Sequence, residues 1–83
     1  MGRRNFSGRE IVRALTKNGY RGVGRSGSHV QLRWEPPPDH ETDARTVTVP
    51  MHDEVSTGVL RSIAEQAGAN DFDEFCRWID RNR

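Results

Sequence analysis

The chain has 83 residues, a net charge of +1, 33% hydrophobic and 30% charged residues, and one cysteine. That length supports one small core, burying roughly 60% of the surface its unfolded chain exposes, and the lean hydrophobic fraction is still that of a globular chain. Cys76 alone excludes an intramolecular disulfide or a cysteine-based zinc site. No apolar run approaches the roughly 18 residues of a membrane span, and no signal-peptide core follows Met1, so a cytoplasmic protein without membrane contact is expected.

Charge is unevenly placed. Between Arg3 and Arg33 there are eight basic residues against one acid, Glu10, while the remaining acids cluster at 35–54 and 65–80. An electropositive N-terminal half suits phosphate, and arginine is the better fork for it. A solvated mixed surface accounts for the same segregation equally well.

Ser7-Gly8-Arg9-Glu10 is a capping box followed by Ile11, Val12 and Leu15 at helical spacing, and Asn18-Gly19 supplies the stop, so the first helix is expected over 8–18. Tyr20, Val23 and two glycines predict a short, irregular strand at 20–25, and Ser26-Gly27-Ser28 turns the chain. From 29 to 34 the pattern alternates, with Val30, Leu32 and Trp34 on one face and His29, Gln31 and Arg33 on the other. Pro36-Pro37-Pro38 ends that strand, and 35–44 reads as an acidic, exposed loop. Thr46-Val47-Thr48-Val49 predicts a third strand stopped by Pro50. A second helix capped by Ser56 or Thr57 presents Val59, Leu60, Ile63, Ala64 and Ala67 inward and ends at Gly68. A second capping box, Asp71 to Glu74, opens a third helix over 71–81 with Phe72, Phe75, Cys76 and Ile79 on one face. The order α-β-β-β-α-α predicts one α+β domain over 1–83, a two-layer sandwich with helices on one face of a three-stranded antiparallel sheet. The other face, carrying His29, Gln31, Arg33, Thr46 and Thr48, is left for solvent or a ligand.

Three histidines are the candidates for chemistry. His40 lies in the acidic loop and offers little. His29 opens the central strand and His52 follows the third strand; by residue type alone each is more often a turn or loop residue than a catalyst. A meander brings the start of strand two and the end of strand three to the same edge, so the two imidazoles are expected to lie near one another. Gly22-Val23-Gly24-Arg25-Ser26-Gly27 has dinucleotide-site spacing without the strand-to-helix context. Asp39, Glu41 and Asp43 lack the glycine and final glutamate of a calcium loop. Ser26 and Ser28 belong to no nucleophile elbow, and Cys76 is most simply core. No metal or cofactor is expected.

Asn18-Gly19-Tyr20, Gly27-Ser28-His29, Val47-Thr48-Val49-Pro50 with His52, Gly58-Val59-Leu60-Arg61-Ser62-Ile63 and Gln66-Ala67-Gly68 together resemble the HicA (YcfA-like) mRNA interferase toxins over about residues 7–69. The resemblance implies a fold similar to a double-stranded-RNA-binding domain, endoribonuclease activity on mRNA, and a HicB-like antitoxin partner. It places the catalytic histidine on His29. A ribose 2′-OH attacks its own phosphate once a base removes the proton, which needs no metal, and an imidazole, with an ordinary pKa of about 6.5, suits that role. His52 is the second candidate, as complementary acid or structural partner. Arg25, Ser28, Gln31 and Arg33 are candidates for RNA contacts. The sequence departs from the family in its long acidic loop, in Val59 where the family has threonine, and in a C-terminal helical extension over 70–83. An RNA-binding module without catalysis and a protein-interaction domain are the competing readings; oligomeric state is open.

Overall fold

The structure, a computed structural model, describes residues 5–39 and 41–83. The elements run α1 (Gly8–Lys17), β1 (Arg21–Ser26), β2 (His29–Trp34), β3 (Arg45–Pro50), α2 (Thr57–Gln66) and α3 (Phe72–Asn82). This is the expected α+β order, and the sheet is an antiparallel meander, β1-β2-β3.

Helix α1 starts where its capping box closes. The Ser7 hydroxyl accepts from the Glu10 amide at 3.1 Å, and Glu10 Oε1 accepts from the Ser7 amide at 2.9 Å. Phe6 and Ile11 stand at the N′ and N4 positions of a hydrophobic staple, both fully buried in the core. Asn18 ends the helix by donating its side-chain amide to the Ala14 carbonyl at 2.8 Å, and Gly19 follows with φ of 93° against the Trp34 indole.

The central strand pairs on both sides, with His29 opposite Ser26 and Pro50, and Leu32 opposite Gly22 and Val47. Met51 N–H donates to the Ser28 carbonyl at 2.6 Å, and Thr48 N–H points off the sheet edge to Gln66 Oε1 at 2.8 Å. The pairs His29–Pro50, Gln31–Thr48 and Arg33–Thr46 are therefore the non-hydrogen-bonded ones, whose side chains stand closest. Pro50 is accordingly the last residue of β3, which stops there as expected: at that position an N–H would face away from β2, so the ladder loses nothing. Strand β1 carries a bulge between Gly22 and Gly24 and is exposed throughout.

One core joins the layers: Ile11, Ala14 and Leu15 from α1, Leu32, Val47 and Val49 from the sheet, Leu60 and Ile63 from α2, and Phe75, Cys76 and Ile79 from α3. Two expectations need correction. Val59 is 38% exposed, because the buried stripe of α2 runs through Leu60, Ile63 and Ala64 and leaves Val59 at its margin. In α3 the Asp71 carboxylate does accept from the Glu74 amide at 3.0 Å, but the Glu74 carboxylate turns to Arg77 and does not close a box.

Candidate functional site

The start of β2 is set by its turn. Gly27 has φ of 58° and no non-glycine residue among those described has positive φ, which is the pattern of a type II′ hairpin with glycine first. Ser26 and His29 close that turn as a cross-strand pair, so His29 emerges exposed at the very end of the sheet. Arg25 secures the same turn by donating from Nε to the Gly27 carbonyl at 3.1 Å.

His52 reaches the same end by a second route. Past Pro50 the chain is zipped to the N-terminal segment: Gly8 N–H donates to the His52 carbonyl at 2.9 Å, and Val55 N–H to the Phe6 carbonyl at 2.8 Å. This approach requires glycine at position 8, where a Cβ would collide with the Pro50 carbonyl oxygen and lie 2.8 Å from the Met51 Cα. The two imidazoles end with ring centroids 6.5 Å apart, edge to face at 68°, both on exposed residues. Paired histidines at this spacing can act from two sides of one bound group, one accepting a proton and the other giving one.

The remaining candidates divide. Gln31 is two residues along on the same face, its Oε1 lying 3.1 Å from where a Gly24 Cβ would stand, so the glycine makes room for it. Arg33 shares the face but lies about 13 Å from His29 at strand rise, held by Glu35 at 3.3 Å and the Thr46 hydroxyl at 3.4 Å. Arg25 pairs with Val30 and so leaves β1 on the opposite face. Ser28 sits in the turn itself, its carbonyl engaged by Met51. His40 lies outside the described residues. No group of three His, Cys, Asp or Glu able to hold a metal occurs among the described residues.

The opposite end of the sheet carries different chemistry. Tyr20, Trp34, Phe75 and Trp78 line a cleft of about 640 Å³. Arg45 lies over the Trp34 ring and donates to the Ala67 carbonyl. Burial pushes the Tyr20 phenol above its ordinary value of 10.0, and Arg45 partly opposes the shift by its charge and a hydrogen bond. The acidic 35–44 connection leaves from this end, away from the histidines.

Sequence reasoning placed the histidines but missed Phe6 and Gly8, which hold His52 where it is. The Phe6-Ser7 pair ahead of Ile11 carried a readable staple signal; the requirement for glycine at position 8 is a tertiary contact with no local signature.

The family model described as the HicA toxin of bacterial toxin–antitoxin systems matches residues 8–69. No curated protein and no solved structure matches the chain.

Proposed function

The chain belongs to the HicA family of toxins of bacterial toxin–antitoxin systems, and from that premise we propose that it is a cytoplasmic endoribonuclease that cleaves mRNA by histidine acid–base chemistry. The observation that carries this reading is the exposed His29–His52 pair at 6.5 Å, built by the β1–β2 turn on one side and by the pairing of the segment after β3 with the N-terminal segment on the other.

In the proposed reaction His29 takes the proton of a ribose 2′-OH as that oxygen attacks the adjacent phosphorus. The P–O5′ bond breaks, and His52 gives its proton to the departing 5′ oxygen. The products are a 2′,3′-cyclic phosphate and a free 5′-hydroxyl, and the imidazoles exchange protonation states before the next turnover. No metal is required. Gln31 is placed to bind the sugar or phosphate beside the cleaved bond, and Arg33 a phosphate further along. A HicB-like antitoxin is the partner that holds the activity in check.

The test compares growth on induction, and RNA cleavage by purified protein, for wild type and His29→Ala. Loss of a positioned general base lowers the rate about 10²–10⁴-fold. Cleavage should survive a chelator and leave cyclic-phosphate ends. A folded His29→Ala protein that cuts as well as wild type refutes the assignment. RNA bound but recovered uncut by wild type would favour a binding module.

A further inference from the structure

Helix α1 carries a ladder of Arg9, Arg13 and Lys17 at i, i+4 and i+8, all exposed. None of the three has an ion-pair partner among the described residues. The helix contains one carboxylate, Glu10, and both its oxygens are committed: Oε1 to the Ser7 amide at 2.9 Å, Oε2 to Arg83 of α3 at 2.6 Å. The ladder is therefore uncompensated, with two like-charge i,i+4 pairs that each oppose the helix. Arg9 also stands in the first turn, where the helix dipole disfavours a cation. Three positive charges kept in line at a cost to helix stability point to an anionic polymer, and their steps of about 6 Å along the axis present them serially.

The placement of the ladder ties it to the histidines. Its first residue follows Gly8, whose amide binds the His52 carbonyl at 2.9 Å. Its other end approaches Gly19, packed on Trp34 at the far end of β2. Helix α1 thus runs the length of the sheet, starting at the end that carries the histidines.

We propose that Arg9, Arg13 and Lys17 form a track for the phosphate backbone of the RNA substrate, leading one flank of the strand to the His29–His52 pair. This rests on the ribonuclease reading above. The three side chains bind ground and transition states alike, so they act on affinity and not on the chemical step.

The experiment uses the triple variant Arg9→Gln, Arg13→Gln, Lys17→Gln, since glutamine keeps helix propensity close to that of Arg and Lys. The control is Arg61→Gln, Arg77→Gln, Arg81→Gln, which removes the same charge from α2 and α3. Binding of a single-stranded oligoribonucleotide is measured in a His29→Ala background against salt; cleavage is measured with His29 present. The track variant should flatten the slope of log K against log salt by about 2, from about 0.7 for each phosphate it no longer neutralises. It should raise KM at least tenfold with kcat within twofold, while the control changes neither by more than twofold. An unchanged slope and KM, or an equal effect in the control, overturns the track and leaves the nuclease reading standing. Intact RNA affinity with failed neutralisation by the antitoxin makes the ladder a protein contact and also overturns it. A wild type that neither binds nor cuts RNA overturns the ribonuclease reading, and the track with it.

Discussion

Gly8→Ala separates two physical arguments because they predict opposite signs. On propensity alone alanine is better than glycine in a helix by about 0.5–1 kcal/mol. The structure opposes this: the new Cβ meets the Pro50 carbonyl oxygen, the Met51 Cα at 2.8 Å and the Pro50 carbonyl carbon at 3.0 Å. All three are backbone atoms, so no rotamer change relieves the clash. The helix start must back away from the segment after β3, which strains or breaks the 2.9 Å hydrogen bond from Gly8 to His52. Overpacking of this kind costs about 1–3 kcal/mol and the hydrogen bond about 1 kcal/mol. After subtracting the propensity gain, Gly8→Ala should destabilise by about 1–3 kcal/mol. At about 4–8 °C per kcal/mol for a domain of this size, Tm falls well outside experimental error. Urea denaturation should show a lower midpoint at unchanged m. RNA cleavage should fall further than stability alone explains, since His52 rides on the displaced segment. A variant as stable as wild type, or more so, would refute the close approach of α1 to β3.

Other positions offer tests of the same reasoning. Gly27→Ala should cost about 1–2 kcal/mol by thermal unfolding because φ at that position is 58°, whereas Gly22→Ala, in open space without positive φ, should be neutral or gain up to about 1 kcal/mol. Phe6→Ala should cost about 3–5 kcal/mol, enough to unfold a marginal small domain, as read by circular dichroism. Tyr20 is the chain's one tyrosine, so tyrosinate absorbance reports it alone: its midpoint should lie above 10.0 and rise further in Arg45→Gln. Because the folded value is raised, the associated stability is present below about pH 10 and lost as pH climbs through the folded value, a slope that Tyr20→Phe should remove.

Which features were legible follows from the range of the interactions that make them. Helix α1 and strand β2 are written in local terms, a capping box and a two-residue alternation, and both occur at the expected positions. Strand β1 has six exposed residues and a bulge, so no hydrophobic period exists to mark it, and its expected bounds fall one residue early. Val59 misleads because apolar character marks a stripe only to within its margin. His29 and His52 were individually visible and their shared end followed from the meander. Their separation depends on the 6–8 and 52–55 segments pairing backbone to backbone across the chain, a pairing that side-chain patterns do not encode.

The role of α3 shows how the physical unit and the family-matched segment differ. The match stops at residue 69, yet Phe75, Cys76 and Ile79 beyond it are buried in one cluster with Ile11 and Leu15 of α1. At about 1.5–3 kcal/mol for each large apolar side chain, their burial is comparable with the whole stability of a domain this small, about 0.05–0.15 kcal/mol per residue. Arg83 adds a link by neutralising the carboxylate oxygen of Glu10 that the capping box leaves over. Helix α3 therefore seats α1. In turn α1, through Gly8, seats the segment that carries His52. The helix outside the matched region is thus mechanically upstream of the histidine pair, and a change in its buried face should reach the histidine end without touching a residue of it.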